Sequence, residues 1–167
     1  MAVTTYDSAV IINRIISNLK LNTSIYNKKG EDDKIPTILF GDPPQQNWIA
    51  IARPYITVTP GEPFEISDEP LYVSKLGEES PKSKITLQFF ITCVVNGTTP
   101  EDALKKDLIL RKLLKEFFKN NPKMKDSAGN NRLFKRSRTT ITAKIVRNAM
   151  DVVSAFTVVL QAEIMSA

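Results

Sequence analysis

Ile85, Leu87, Phe89, Ile91, Cys93 and Val95 stand at alternate positions, with Lys84, Thr86, Gln88, Phe90, Thr92 and Val94 between them. Successive side chains of a strand point to opposite faces of its sheet, so a period of two over this length predicts one long strand. The second set is only half polar, which places the strand at the centre of a sheet and partly covered on both faces. Asn96-Gly97 ends it with residues that tolerate positive φ. A helix follows at once. Thr99 suits the N-cap, Pro100 the first helical position, and Asp102 the acid of a capping box. Glu101 and Asp102 put negative charge at the positive end of the helix dipole. Ala103, Leu110, Leu113, Leu114 and Phe117 form one apolar face, and Asn120-Asn121-Pro122 stops the helix. A helix of roughly 20 residues is about 30 Å long, enough to cover a sheet.

A chain of 167 residues fits one domain spanning 1–167, with a core large enough to need neither disulfide nor metal. The single cysteine, Cys93, lies on the inward face of the predicted strand and reads as a small hydrophobe. There is no histidine, so the commonest general base and the commonest metal ligand are both missing. Zinc sites and Ser-His or Cys-His nucleophiles cannot be built from this composition. Asp32-Asp33 and Glu78-Glu79 lack calcium-loop spacing and read as solvated charge; Gly41-Asp42-Pro43-Pro44 lacks the glycine run and lysine of a phosphate loop. No catalytic residue, metal ligand or cofactor is therefore expected. An enzyme would need a carboxylate pair in a cleft. No signal-peptide pattern opens the chain, and no run reaches the roughly 18 apolar residues of a membrane span, so no membrane partner is expected and the protein is read as made in a cytoplasm.

Charge is unevenly placed. Residues 119–138 hold seven bases (Lys119, Lys123, Lys125, Arg132, Lys135, Arg136, Arg138) and one acid, Asp126, so they carry more than the whole net charge of +5. Glu62, Glu65, Asp68, Glu69, Glu78 and Glu79 cluster with only Lys75 among them.

Taken in order, residues 5–21 read as an amphipathic helix with Ile12, Ile15, Ile16 and Leu19 inward, Thr4 or Thr5 as cap and Asp7 in the first turn. Its polar face is not basic, which argues against a membrane surface. Residues 27–36 are a connector, 37–40 a short strand, and 41–46 a loop. Residues 48–52 and 55–59 look like strands broken at Pro54; Pro60-Gly61 reads as a turn, 64–66 as the entry to an exposed acidic loop, 71–73 as a short strand and 77–81 as another turn. Residues 123–138 read as a mobile or projecting loop with Leu133 and Phe134 as anchors. Ile141, Ala143 and Ile145, then Phe156, Val158, Leu160, Ala162 and Ile164, predict a closing antiparallel hairpin with a turn near 148–151. The sum is an α+β fold: a mostly antiparallel sheet with two helices on one face and long projecting loops.

The basic segment offers phosphate neutralisation, but Phe134 is its only stacking aromatic and no helix-turn-helix, zinc finger or RNP pattern accompanies it. A solvated loop or a contact to an acidic protein surface is the plainer reading. Glu62 to Glu79 on one subunit and Lys119 to Arg138 on the next would suit a head-to-tail interface, and such interfaces can close into rings.

The start Tyr6-Asp7-Ser8-Ala9-Val10-Ile11-Ile12, the proline-broken Ala52-Arg53-Pro54-Tyr55-Ile56-Thr57-Val58, the strand into Thr99-Pro100-Glu101-Asp102-Ala103 and the closing hairpin resemble the tail terminator and tail completion proteins of tailed bacteriophages and their archaeal relatives. The resemblance implies a non-enzymatic virion subunit, assembled in the host cytoplasm. Such a subunit forms a hexameric ring on the end of the tail tube, stops its polymerisation and joins it to the neck or head. Its partners would be further copies of itself, the tail tube protein and a neck or head-completion protein, with nucleic acid passing through the lumen. The basic segment matches no pattern of that family. Two alternatives stand beside it: another neck, connector or baseplate ring protein, and a small nucleic-acid-binding module using 119–138.

Overall fold

The computed structural model describes residues 6–21, 37–41, 55–71, 82–144 and 152–166. Its elements run α1 (Ser8–Leu21), β1 (Thr37–Phe40), β2 (Tyr55–Leu71), β3 (Lys82–Gly97), α2 (Pro100–Asn120), β4 (Arg136–Lys144) and β5 (Val152–Ser166). Among the described residues five strands form one sheet in the order β1-β2-β3-β5-β4, antiparallel throughout except for the parallel β1–β2 pair. The alternating strand is central, as expected, but among the described residues helices cover only its inward face and the other face is open. Its inward set, from Ile85 to Val95, is at most 3% exposed, and Phe156, Val158, Leu160, Ala162 and Ile164 of β5 lie beside it.

Both described helices cover this one face. α1 packs on β1 and β2, and α2 on β3 and β5. Ile11, Ile12, Ile15, Ile16 and Leu19 of α1 and Leu110, Leu114, Phe117 and Phe118 of α2 join the strand residues in a single apolar core. The α2 cap forms as its sequence predicts: the Thr99 side chain accepts from Asp102 N–H at 3.1 Å, and Asp102 Oδ2 accepts from Thr98 N–H at 3.0 Å. Strand and helix meet so closely at Gly97 that a Cβ there would clash with the Ala103 backbone nitrogen, an approach only glycine permits. No helix among the described residues is long and apolar enough to cross a membrane.

Several expectations change. Asp7 caps α1, accepting from Ala9 and Val10 N–H at 3.0 and 3.3 Å, and the helix begins at Ser8; Thr4 and Thr5 lie outside the described residues. Pro60-Gly61 is not a turn, and 64–66 do not enter a loop. β2 continues through both to Leu71, still paired with β3. The pairing jumps from Pro60–Phe89 to Glu65–Leu87, so four residues bulge opposite Gln88 alone, and the Glu62–Pro63 peptide within the bulge is cis. Gln88 Nε2 closes the bulge by donating to Pro63 O at 3.3 Å. A bulge absorbs prolines, which lack the N–H a ladder needs, without reversing the strand. β4 begins at Arg136, earlier than its alternating apolar residues suggest. The expected features at 27–36, 42–54, 72–81 and 145–151 lie outside the described residues.

Candidate assembly interface

The predicted interface residues divide between the two sides of the sheet. Glu62, Glu65, Asp68 and Glu69 are exposed on β2, not on a loop. β1 pairs only with Tyr55 to Val58 of β2, so among the described residues the acidic half of β2 is paired on the β3 side alone. Arg136 and Arg138 are exposed on β4, the strand that ends the sheet on the other side. Glu78 and Glu79 lie outside the described residues.

Lys123, Lys125, Arg132 and Lys135 belong to the connection from α2 to β4. That segment is tied down, not mobile. Asn18 of α1, 5% exposed, grips the Lys125 backbone from both sides: its amide nitrogen donates to Lys125 O at 3.0 Å and its oxygen accepts from Lys125 N–H at 2.9 Å. Arg14 donates to Asp126 O. Leu133 N–H donates to Met124 O at 3.2 Å and Phe134 N–H to Lys123 O at 2.9 Å, a short ladder that closes the loop base. Asp126 Oδ1 accepts from Ala128 and Asn130 N–H, both at 3.0 Å, with Gly129 at φ +82° completing the turn. Met124 and Phe134 are each 1% exposed, and the Phe134 ring lies 6.2 Å from that of Phe89. The segment thus buries Met124 and Phe134 in the core, packs Leu133 against it and keeps Lys123, Lys125, Arg132 and Lys135 exposed, with no ion pair to an acid among the described residues. The sequence marked Phe134 as an anchor; Asn18 gave no such signal, because it reads there as one more polar residue of the helix surface.

The acidic and basic groups do not meet directly within the described residues. They are joined across the open face of the sheet, the side away from the helices, by two rows of side chains. In one, Arg136 contacts Glu163 at 3.0 Å, Glu163 contacts Lys84 at 3.4 Å, and Lys84 contacts Glu69 at 3.8 Å. In the other, Arg138 donates to Gln161 Oε1 at 3.1 Å, Gln161 donates to Gln88 Oε1 at 3.2 Å, and Gln88 donates to Pro63 O. The strand register sets these residues within reach: in the first row Arg136 is opposite Glu163 and Lys84 opposite Glu69, with Lys84 diagonal to Glu163, and in the second Arg138, Gln161 and Gln88 fall level. Lys84 and Glu163 are outward residues of the two alternating strands, which is the only sequence signal they give.

On the helix side, Tyr6 donates to Glu65 Oε2 at 3.2 Å and stacks towards Phe64. Burial first, then the Glu65 carboxylate and Asp68 behind it, raise the Tyr6 hydroxyl above its ordinary value, so it stays a donor. The one buried charge among the described residues is Asp107 of α2, which accepts from Ser154 Oγ of β5 and pairs with Arg111, whose guanidinium lies 5.1 Å above the Phe156 ring. This cluster fastens α2 to the sheet. Cys93 is buried nearby, and burial, with Asp107 adding to it, pushes its thiol well above the usual range, which disfavours the nucleophilic thiolate. Among the described residues no group of three or more His, Cys, Asp or Glu is placed to hold a metal ion.

What the arrangement offers is therefore charge display on a braced scaffold. One edge of the sheet presents acid, the opposite edge and its adjoining loop present base, and hydrogen-bonded rows hold the two at fixed positions. Neither a protein-family model nor a curated protein sequence matches this chain.

Proposed function

We propose that this protein is a structural, non-catalytic subunit of a tailed virus: a ring-forming tail terminator or completion protein that caps the tail tube and joins it to the neck or head. The observation that supports this reading best is the placement of exposed acid on the β2 edge and exposed base on the β4 edge of a single sheet. Complementary patches on opposite sides of one subunit suit a heterologous contact, which closes into a ring when the rotation between copies closes. The partners in this reading are neighbouring copies, the tail tube protein and a neck or head-completion protein, with nucleic acid passing through the lumen. Another neck, connector or baseplate ring would use the same edges and differ in its place in the particle.

The experiment is to add the purified protein to polymerising tail tubes while its absolute mass is followed by light scattering at low and high salt. Capped tubes of limited length, and a discrete ring in solution or on the tube end, are the expected results. A ring that leaves tube growth unaffected moves the assignment to another station of the particle.

A second reading is favoured by the four exposed bases Lys123, Lys125, Arg132 and Lys135. It makes the α2–β4 connection a nucleic-acid contact, whose affinity falls steeply with salt because each neutralised phosphate releases counterions. A monomer that purifies with nucleic acid and sheds it in salt would replace the assembly reading with this one.

A further inference from the structure

We infer that copies of this chain join by extending the sheet: residues 64–69 of β2 in one subunit lie antiparallel on β4 (Arg136–Lys144) of the next. This rests on the assembly reading and specifies the contact that would build it. Among the described residues β4 is the last strand of the sheet; it contains no proline and carries its residues in unbroken register with β5. Such an edge is ready to pair with another strand. β2 is the opposite case. Pro60, Pro63 and Pro70 and two register shifts interrupt it; between Pro63 and Pro70 a proline-free window remains, Phe64-Glu65-Ile66-Ser67-Asp68-Glu69, with the second shift at Ile66 inside it. Six residues match the usual length of a strand. The window exposes Ile66 at 41% and carries three acids.

Charge selects this pairing over its alternatives. An antiparallel β4–β4 contact centred on Thr140 would set Arg136 opposite Lys144, like against like. A β2–β2 contact would set acid against acid. Only β2 on β4 sets an acidic edge beside a basic one: Glu69 shares the open face with Arg136 and stands diagonal to it, while Glu65 and Asp68 add negative charge from the helix side of the same edge, and like charges directly opposed across strands are destabilising. The direction also fits: β2 and β4 run antiparallel to each other through β3 and β5, so a neighbour continuing the same sheet presents β4 antiparallel to β2.

The register adds a constraint on symmetry. Arg136 is level with Glu163, Thr86 and Ser67, and Thr140 with Val159, Phe90 and Thr59. The acidic window and the basic end of β4 therefore stand at the same height along the strands. A neighbour placed by rotation alone, without a shift along the strands, brings them together. Rotation without translation closes a ring; a shift would wind a filament.

The test uses two full-length variants, Asp68→Lys with Glu69→Lys, and Arg136→Glu with Arg138→Glu, with thermal unfolding as the check on folding. Each alone should self-associate at least about tenfold more weakly than the wild type, because its two edges then carry net charge of the same sign. Mixed in equal amounts they should recover rings of wild-type mass, since each supplies the edge the other needs. In parallel, amide exchange of the wild type, compared between dilute and associated protein, should show 64–69 and 136–142 gaining protection together. Wild-type rings that survive both variants, or that form without protecting these two segments, overturn the edge contact and leave the assembly reading standing. A wild type that stays monomeric in solution and on tail tubes overturns both.

Discussion

The two faces of the sheet are built from the same strands and obey different physics. The covered face presents Ile85, Leu87, Phe89, Ile91 and Cys93 from β3, all fully buried under α1, α2 and the α2–β4 connection. The open face, read along the same strand, presents Lys84, Thr86, Gln88, Phe90 and Thr92 and is held by side chains linked across strands. Thr92 and Thr157 share a hydrogen bond at 3.1 Å, and the two rows from Arg136 and Arg138 run below them. At one end even the open face is apolar, where Tyr55, Val94 and Ala155 form a separate small cluster. Stability and presentation are thus divided between the faces: one gains free energy from exclusion of water, the other fixes where charges stand while contributing little.

The division makes a graded set of expectations. Phe89→Ala should cost about 3–5 kcal/mol in denaturant unfolding, because it leaves a cavity among Phe64, Phe134 and the helix layer. A cost near that of a surface substitution would show that the covered face is not the source of stability. Asp107→Ala removes the acceptor of Ser154 and the partner of Arg111; with Arg111 24% exposed and so partly solvated, about 2–3 kcal/mol is expected. Asn18→Ala should cost about 1–2 kcal/mol and should speed amide exchange at Lys125 first, since that N–H loses its acceptor. Exchange unchanged at Lys125 would mean that the loop is held by Met124 and Phe134 alone.

A smaller effect concerns pH. The Asp102 carboxyl is held below its ordinary value, chiefly by the Thr98 backbone N–H and further by Lys106, against a weaker opposing effect of burial. A lowered folded value means that the stabilisation is complete above the unfolded carboxylate pKa of about 4 and is lost as pH falls through the folded value. Asp102→Asn should therefore lower the melting temperature slightly at pH 7 and leave it unchanged in strong acid. Least of all, Thr92→Val on the open face should stay within about 0.5 kcal/mol, because Thr157 remains half-exposed and can turn to water. A larger loss would erase the contrast between the faces.

Much of the fold was legible because its signals are local. The period of two from Ile85 to Val95, the cap Thr99-Pro100-Glu101-Asp102 and the asparagines after Phe118 act over a few residues, and each element formed where they stand. β2 was less legible. Pro60-Gly61 has the composition of a turn, and only the adjacent β3, with Gln88 closing the bulge, holds the chain on its course. The candidate interface was legible as charge but not as geometry. Counting residues finds acid at 62–69 and base at 119–138; it cannot show that Asn18 pins the basic segment or that Glu163 and Lys84 connect the two sides, because those contacts join residues roughly 70 to 110 positions apart.

By itself, then, the sequence determined the inward face of the central strand, the helix that follows and the uneven placement of charge. Each of these depends on periodicity, capping chemistry or composition, which neighbours along the chain define. Only the tertiary structure decided that acid and base stand on opposite edges at one height. That placement depends on strand order and register, which are set by long-range pairing and by burial of the shared apolar face.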